Sequence, residues 1–95
     1  MSAYVILQIE VTDPEKHAKY REIATAIVEK YGGKYLAGGG RMEVVEGQSL
    51  PRIAVVEFPS MDAFRQFYDA PEYQAAKALR QSATRGTMLV VEGLS

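Results

Sequence analysis

The sequence predicts an α+β domain in which an antiparallel sheet carries helices on one face. Three observations predict it. Apolar residues alternate with a period of two from Ala3 to Val11, then switch to helical spacing after Thr12-Asp13-Pro14. Each helical stretch has its own start and stop residues. The segments follow the order strand, helix, strand, strand, helix, strand, which is the split βαβ or ferredoxin-like pattern.

Ala3, Val5, Leu7, Ile9 and Val11 share one strand face, and Tyr4, Ile6, Gln8 and Glu10 share the other. Asp13 is placed to cap a helix, Pro14 suits its first turn, and Glu15 complements the positive helix end. Tyr20, Ile23, Ala24, Ile27, Val28 and Tyr31 recur at helical spacing until Gly32-Gly33 supplies a left-handed stop. Lys34 to Glu46 reads as a strand kinked at Gly38-Gly39-Gly40, with Tyr35-Leu36 before the break and Met42 to Val45 after it. A turn-rich stretch from Gly47 to Pro51 leads into a strand from Arg52 to Phe58. Ser60 is an N-cap for a helix bearing Phe64, Phe67 and Tyr68. Pro71-Glu72 restarts a helix that runs to about Ala83, with Gly86 as its break and Met88 to Val91 as the last strand.

Composition bounds the function. The chain's 95 residues make one domain, residues 1–95, with no internal repeat or linker. The formal net charge of -1 gives no basic excess for nucleic acid, and no cationic amphipathic stretch favours a membrane surface. No cysteine is present, so disulfides, thiolate metal sites and cysteine nucleophiles are excluded, and a cytoplasmic setting is expected. Met1-Ser2-Ala3-Tyr4 lacks a signal-peptide pattern, and the apolar runs are too short to span a membrane.

Helices shield only one face of such a sheet, and the other face normally reads polar. Here the strand at Ile53-Ala54-Val55-Val56 and that at Met88-Leu89-Val90-Val91 are apolar on both faces, and the first strand adds Tyr4 and Ile6. Apolar patches of that kind mark an interface. A homodimer pairing its sheet faces would bury them, giving a barrel with helices outside. A monomer with a partly apolar sheet face is the alternative.

The chain resembles the domain-of-unknown-function family numbered 1330, within the dimeric α+β barrel superfamily. The resemblance lies in Tyr31-Gly32-Gly33-Lys34-Tyr35-Leu36-Ala37-Gly38-Gly39, Val45-Glu46-Gly47 and Arg52 to Ser60. It continues in Phe67-Tyr68-Asp69-Ala70-Pro71-Glu72-Tyr73-Gln74 and Leu79-Arg80, covering essentially the whole chain. It implies a ferredoxin-like fold, paired sheets and a cytoplasmic setting, with no established reaction. Superfamily members include cofactor-free monooxygenases, muconolactone isomerases, haem-dependent dismutases and stress-induced barrels, among which shared fold does not transfer function.

The candidate site residues are few. His17, the only histidine, lies one turn before Tyr20 at the edge of the first helix's apolar stripe. It is a general base or ligand by its near-neutral pKa, or else a hydrogen-bonded stripe-edge residue. No second histidine supports a metal, and no metal or cofactor is expected. Tyr35 and Tyr73 each border a break in regular structure and are ligand-binding candidates, whereas Tyr20 and Tyr31 sit at core spacing. Glu10, Glu57 and Glu92 punctuate apolar strands, with Arg41, Arg52 and Arg80 as available partners. One reading makes Glu57 a base, with Arg41 or Arg52 holding an anionic substrate group. The other makes these charges strand-end residues or intersubunit salt bridges. The Gly38-Gly39-Gly40-Arg41 run is no phosphate loop, because no Lys-Ser or Lys-Thr follows and no helix opens there. The functional expectation is a metal-free small-molecule enzyme, oxygenase-like or isomerase-like by superfamily analogy, with Tyr35, Arg41, Glu57 and Tyr73 lining its pocket and His17 near the mouth. A non-catalytic ligand-binding module and a purely structural dimer are the alternatives.

Overall fold

A computed structural model describes residues 1–94 of the chain. Strand β1 (Ala3–Val11) leads to helix α1 (Pro14–Lys30), then to β2 (Lys34–Gly38) and β3 (Arg52–Phe58). Helices α2 (Met61–Asp69) and α3 (Pro71–Ala83) follow, and β4 (Thr84–Glu92) completes the sheet. The strands run antiparallel in the order β2-β3-β1-β4, the ferredoxin-like arrangement the sequence predicts.

Local chemistry sets the ends of α1. The Asp13 carboxylate accepts from the Lys16 N–H at 3.1 Å, and Pro14 occupies the first turn. At the other end Gly32 adopts φ +86, its N–H donates to the Glu29 carbonyl, and the Gly33 N–H donates to the Val28 carbonyl at 2.8 Å. That pair of bonds is a Schellman motif. A Cβ on Gly33 would lie 2.8 Å from the Phe58 ring, so the glycine also brings the helix end against β3.

The register places alternate residues of neighbouring strands on one face. Val5 lies opposite Val56 and Val90, Leu7 opposite Ala54 and Met88, and Ile9 opposite Arg52. These residues point towards α1 and α3, which pack side by side over the sheet. Phe58, Phe67 and Tyr73 stack in series between them, with ring centroids 5.0 Å and 4.3 Å apart. The opposite face carries Ile6, Ile53 and Val55, with Leu89 43% and Val91 50% exposed, and no helix covers it.

Three sequence expectations need correction. The strand expected from Lys34 to Glu46 ends at Gly38, and Met42 to Val45 form no strand. Gly39, at φ +74, turns the chain out of the sheet after its N–H makes a last bond to the Ile53 carbonyl, and Val45 is 88% exposed. Gly86 does not end α3. The helix stops at Ala83, whose carbonyl accepts from the Thr12 and Asp13 N–H groups, and β4 starts at once. Gly86 sits within β4 at φ +153, where a Cβ would strike the Gln8 carbonyl. Ile23 lies on the shoulder of α1, 46% exposed, because the buried stripe runs through His17, Tyr20, Ala24, Ile27 and Val28.

Candidate functional site

A cavity opens between the helix-bearing face of the sheet and the two long helices. Its floor is apolar, made by Val5, Leu7 and Ile9 of β1, Ala54 and Val56 of β3 and Met88 of β4. Helix α1 contributes His17, Tyr20 and Arg21, α3 contributes Tyr73, and the strand ends contribute Tyr35 and Arg52. The enclosed part of the cavity is about 50 Å³, and the atom-free space rises to about 580 Å³ only when the open, solvent-filled mouth is counted. An apolar pocket with a few convergent polar groups is the usual form of a small-molecule site.

Its polar groups fall into two sets. Deep in the fold, the Tyr20 and Tyr73 hydroxyls lie 2.9 Å apart, and Arg80 Nη1 donates to the Tyr73 oxygen at 3.0 Å. Tyr73 and Arg80 are seven residues apart, two helical turns, and therefore share the buried face of α3. Tyr73 is fully buried, and burial, followed by the adjacent Tyr20, pushes its phenol far up, so it stays neutral. The Arg80 side chain also touches the Met88 sulfur at 3.5 Å.

At the other end stand His17, Arg21 and Arg52. The His17 ring stacks near Tyr20 with centroids 6.3 Å apart. Burial first, and then the Arg52 and Arg21 charges, hold His17 below the ordinary imidazole range. The imidazole is therefore neutral at pH 7 and able to accept a proton. Tyr35, 37% exposed, stands near Arg21 and Tyr20, and its partial desolvation raises its phenol. Among the described residues, no carboxylate lies within 4.0 Å of the Arg21, Arg52 or Arg80 guanidinium. Two cations without acidic partners, Arg21 and Arg52, border the apolar cavity, with Arg80 behind Tyr73, and this polarity favours an anionic or electron-rich ligand oxygen.

Four of the six expected site residues thus come together: His17, Tyr35, Arg52 and Tyr73. Two do not. Glu57 lies on the uncovered sheet face, opposite Tyr4 on β1 and Lys34 on β2, because its neighbour Val56 takes the inward position. Arg41 projects from the exposed connection after Gly39 and pairs with Glu43 at 3.5 Å. Sequence reasoning gave Tyr20 to the core and Arg80 only a partner's part. The stripe Tyr73, Ala76, Arg80, Ala83 carries the missed signal, a cation amid otherwise buried positions. Tyr31 is tied outside the cavity, donating to Glu72 at 2.8 Å beside the Lys30–Glu72 ion pair. No group of three His, Asp or Glu side chains suited to a metal occurs among the described residues.

Residues 2–94 match the family model described as Domain of unknown function (DUF1330). The chain belongs to this family. This DUF1330 chain has no significant match among curated proteins. It is similar to a solved protein of unknown function from Rhodopseudomonas palustris, with 19% identity over 99% of this chain and 83% of that one, at TM-score 0.82. It is similar also to SnoaB, a cofactor-independent oxygenase from Streptomyces nogalater, with 12% identity over 99% of this chain and 94% of that one, at TM-score 0.72. A dimeric ferredoxin-like protein of unknown function from a Jannaschia species shares 19% identity over 96% of each chain, at TM-score 0.67. These likenesses establish the ferredoxin-like fold. Among the described residues, no helix is long and apolar enough to cross a membrane.

Proposed function

We propose that this DUF1330 chain is a small-molecule enzyme that works as a homodimer and needs no metal. Its substrate is a small, flat, largely apolar molecule bearing a carbonyl, phenolic or carboxylate oxygen. The observation that carries this reading is the convergence of His17, Tyr35, Arg52 and Tyr73 on one apolar cavity. In it Arg52 anchors an anionic group, Tyr35 and Tyr73 give aromatic walls, and neutral His17 is the base. Removing a proton next to a carbonyl is the chemistry such a set favours. Isomerisation, or oxygenation with dioxygen as the oxidant, can be built on the resulting enolate. The oxygenase activity printed for SnoaB supports this class by shared fold alone.

The dimer rests on the apolar sheet face and on the dimeric ferredoxin-like neighbour. Pairing two such faces leaves the cavity on the helix side of each subunit. Glu57 then belongs to the seam, where it pairs across the interface and fixes its register.

Melting the protein with a panel of hydroxybenzoates and aryl ketones tests the site. A rise in Tm with at least one member is expected, and Arg52→Met should abolish most of it for the carboxylates. No rise with any member would contradict the reading. For a compound that is turned over, His17→Gln should remove turnover while leaving binding. Equal turnover by the variant would take the role of base away from His17.

A further inference from the structure

We propose that Tyr20 is an oxyanion donor whose proton is aimed into the cavity by Arg80 acting through Tyr73. The proposal rests on the cavity being a small-molecule site and names the group that meets the ligand's charged oxygen. Its basis is the direction of the buried hydroxyl chain. Arg80 Nη1 is a donor in every protonation state it adopts in a protein, so the Tyr73 oxygen accepts from it at 3.0 Å. The Tyr73 hydroxyl then has one proton of its own, and the only oxygen in reach among the described residues is that of Tyr20, 2.9 Å away.

Two arrangements satisfy the geometry. In one, Tyr20 donates to Tyr73, and the Tyr73 proton is left without an acceptor on a side chain with 0% exposure. A buried unpaired donor of that kind costs roughly 1–3 kcal/mol. In the other, Tyr73 donates to Tyr20, and the spare proton moves to the Tyr20 hydroxyl. That ring is 6% exposed and borders the cavity, where a ligand oxygen or water takes the bond. The second arrangement wins, so the chain runs from Arg80 through Tyr73 to Tyr20 and ends in a donor facing the ligand.

The charge behind the chain decides what it prefers. Arg80 is 7% exposed, and no carboxylate among the described residues lies within 4.0 Å of it. Each link polarises the next, so the Tyr20 O–H donates more strongly than a free phenol. A phenolate or enolate oxygen gains from this more than its neutral form does. Tyr20 touches the ligand, while Tyr73 and Arg80 are positioning residues.

The test uses 4-nitrophenol, whose phenolate absorbs in the visible. Titrating the bound dye with pH should place its ionisation midpoint below that of the free dye. Tyr20→Phe, which removes one oxygen and keeps the ring, should bring the midpoint back towards the free value and weaken phenolate binding roughly tenfold. Arg80→Met should act in the same direction, with Arg80→Lys intermediate. Tyr31→Phe, whose hydroxyl is held outside the cavity by Glu72, should match the wild type. A Tyr20→Phe protein that binds the dye with an unchanged midpoint overturns the proposal and leaves the cavity reading standing. A wild-type midpoint equal to that of the free dye does the same. No saturable dye binding at all overturns both. If the Arg80 variants do not fold, the comparison of Tyr20→Phe with Tyr31→Phe still decides.

Discussion

At His17, burial and two arginines act in one direction. They lower the imidazole pKa in the folded chain below its unfolded value of 6.5. The unfolded chain therefore binds more protons as the solution is acidified, and stability falls with pH. The contribution is whole above pH 6.5 and is lost as pH drops through the lowered folded value. Urea midpoints measured between about pH 7 and pH 5, above the carboxylate range, should decline for the wild type and decline less for His17→Gln. Equal slopes would place the imidazole in contact with solvent. Arg80 makes a second case. Arg80→Met removes the donor to the buried Tyr73 oxygen and should cost about 1–3 kcal/mol of stability. A loss above about 3 kcal/mol in urea titration would show that the fold requires the charge. Residues of this kind were only partly legible in the sequence. His17 and Tyr73 stood out by type and spacing, but a hydrogen bond between Tyr20 and Tyr73 joins residues 53 apart and leaves no local trace.

At the scale of elements, caps and glycines govern. Removing the Asp13 cap by Asp13→Ala should cost about 1 kcal/mol, read from the denaturant midpoint. Gly86→Ala should cost about 2 kcal/mol or more, since the new Cβ meets the Gln8 carbonyl of the neighbouring strand. An alanine variant as stable as the wild type would mean that β4 shifts freely along β1. Helix boundaries were legible because Asp13, Pro14, Gly32, Gly33, Ser60 and Pro71 act on their immediate neighbours. The β2 strand was misread because Met42 to Val45 has strand-like composition, while pairing is decided by the distant β3 and by the left-handed turn at Gly39. Gly86 misled for a related reason. The glycine answers to a strand partner 77 positions earlier, at Ile9, rather than to the helix before it.

For the whole molecule, inward and outward strand positions divide the work. Inward residues build the cavity, and outward ones make an apolar face carrying Ile6, Val55, Leu89 and Val91. Sedimentation at micromolar concentration should give twice the 10.5 kDa chain mass. Leu89→Arg should shift the species towards one chain, because it would bury an unpaired charge in the proposed dimer seam. The excess of apolar residues on both strand faces was legible in the sequence. The placing of Glu57 was not, since moving a strand's register by one residue exchanges its faces. In the proposed function the ligand enters between sheet and helices. The most direct measurement is a nuclear magnetic resonance titration of isotope-labelled protein with 4-nitrophenolate. Saturable shifts at His17, Tyr20 and Arg52, with Glu57 and Leu89 unmoved, are the expected result. Shifts confined to the Glu57 and Leu89 face, or no saturable shift anywhere, would contradict the account.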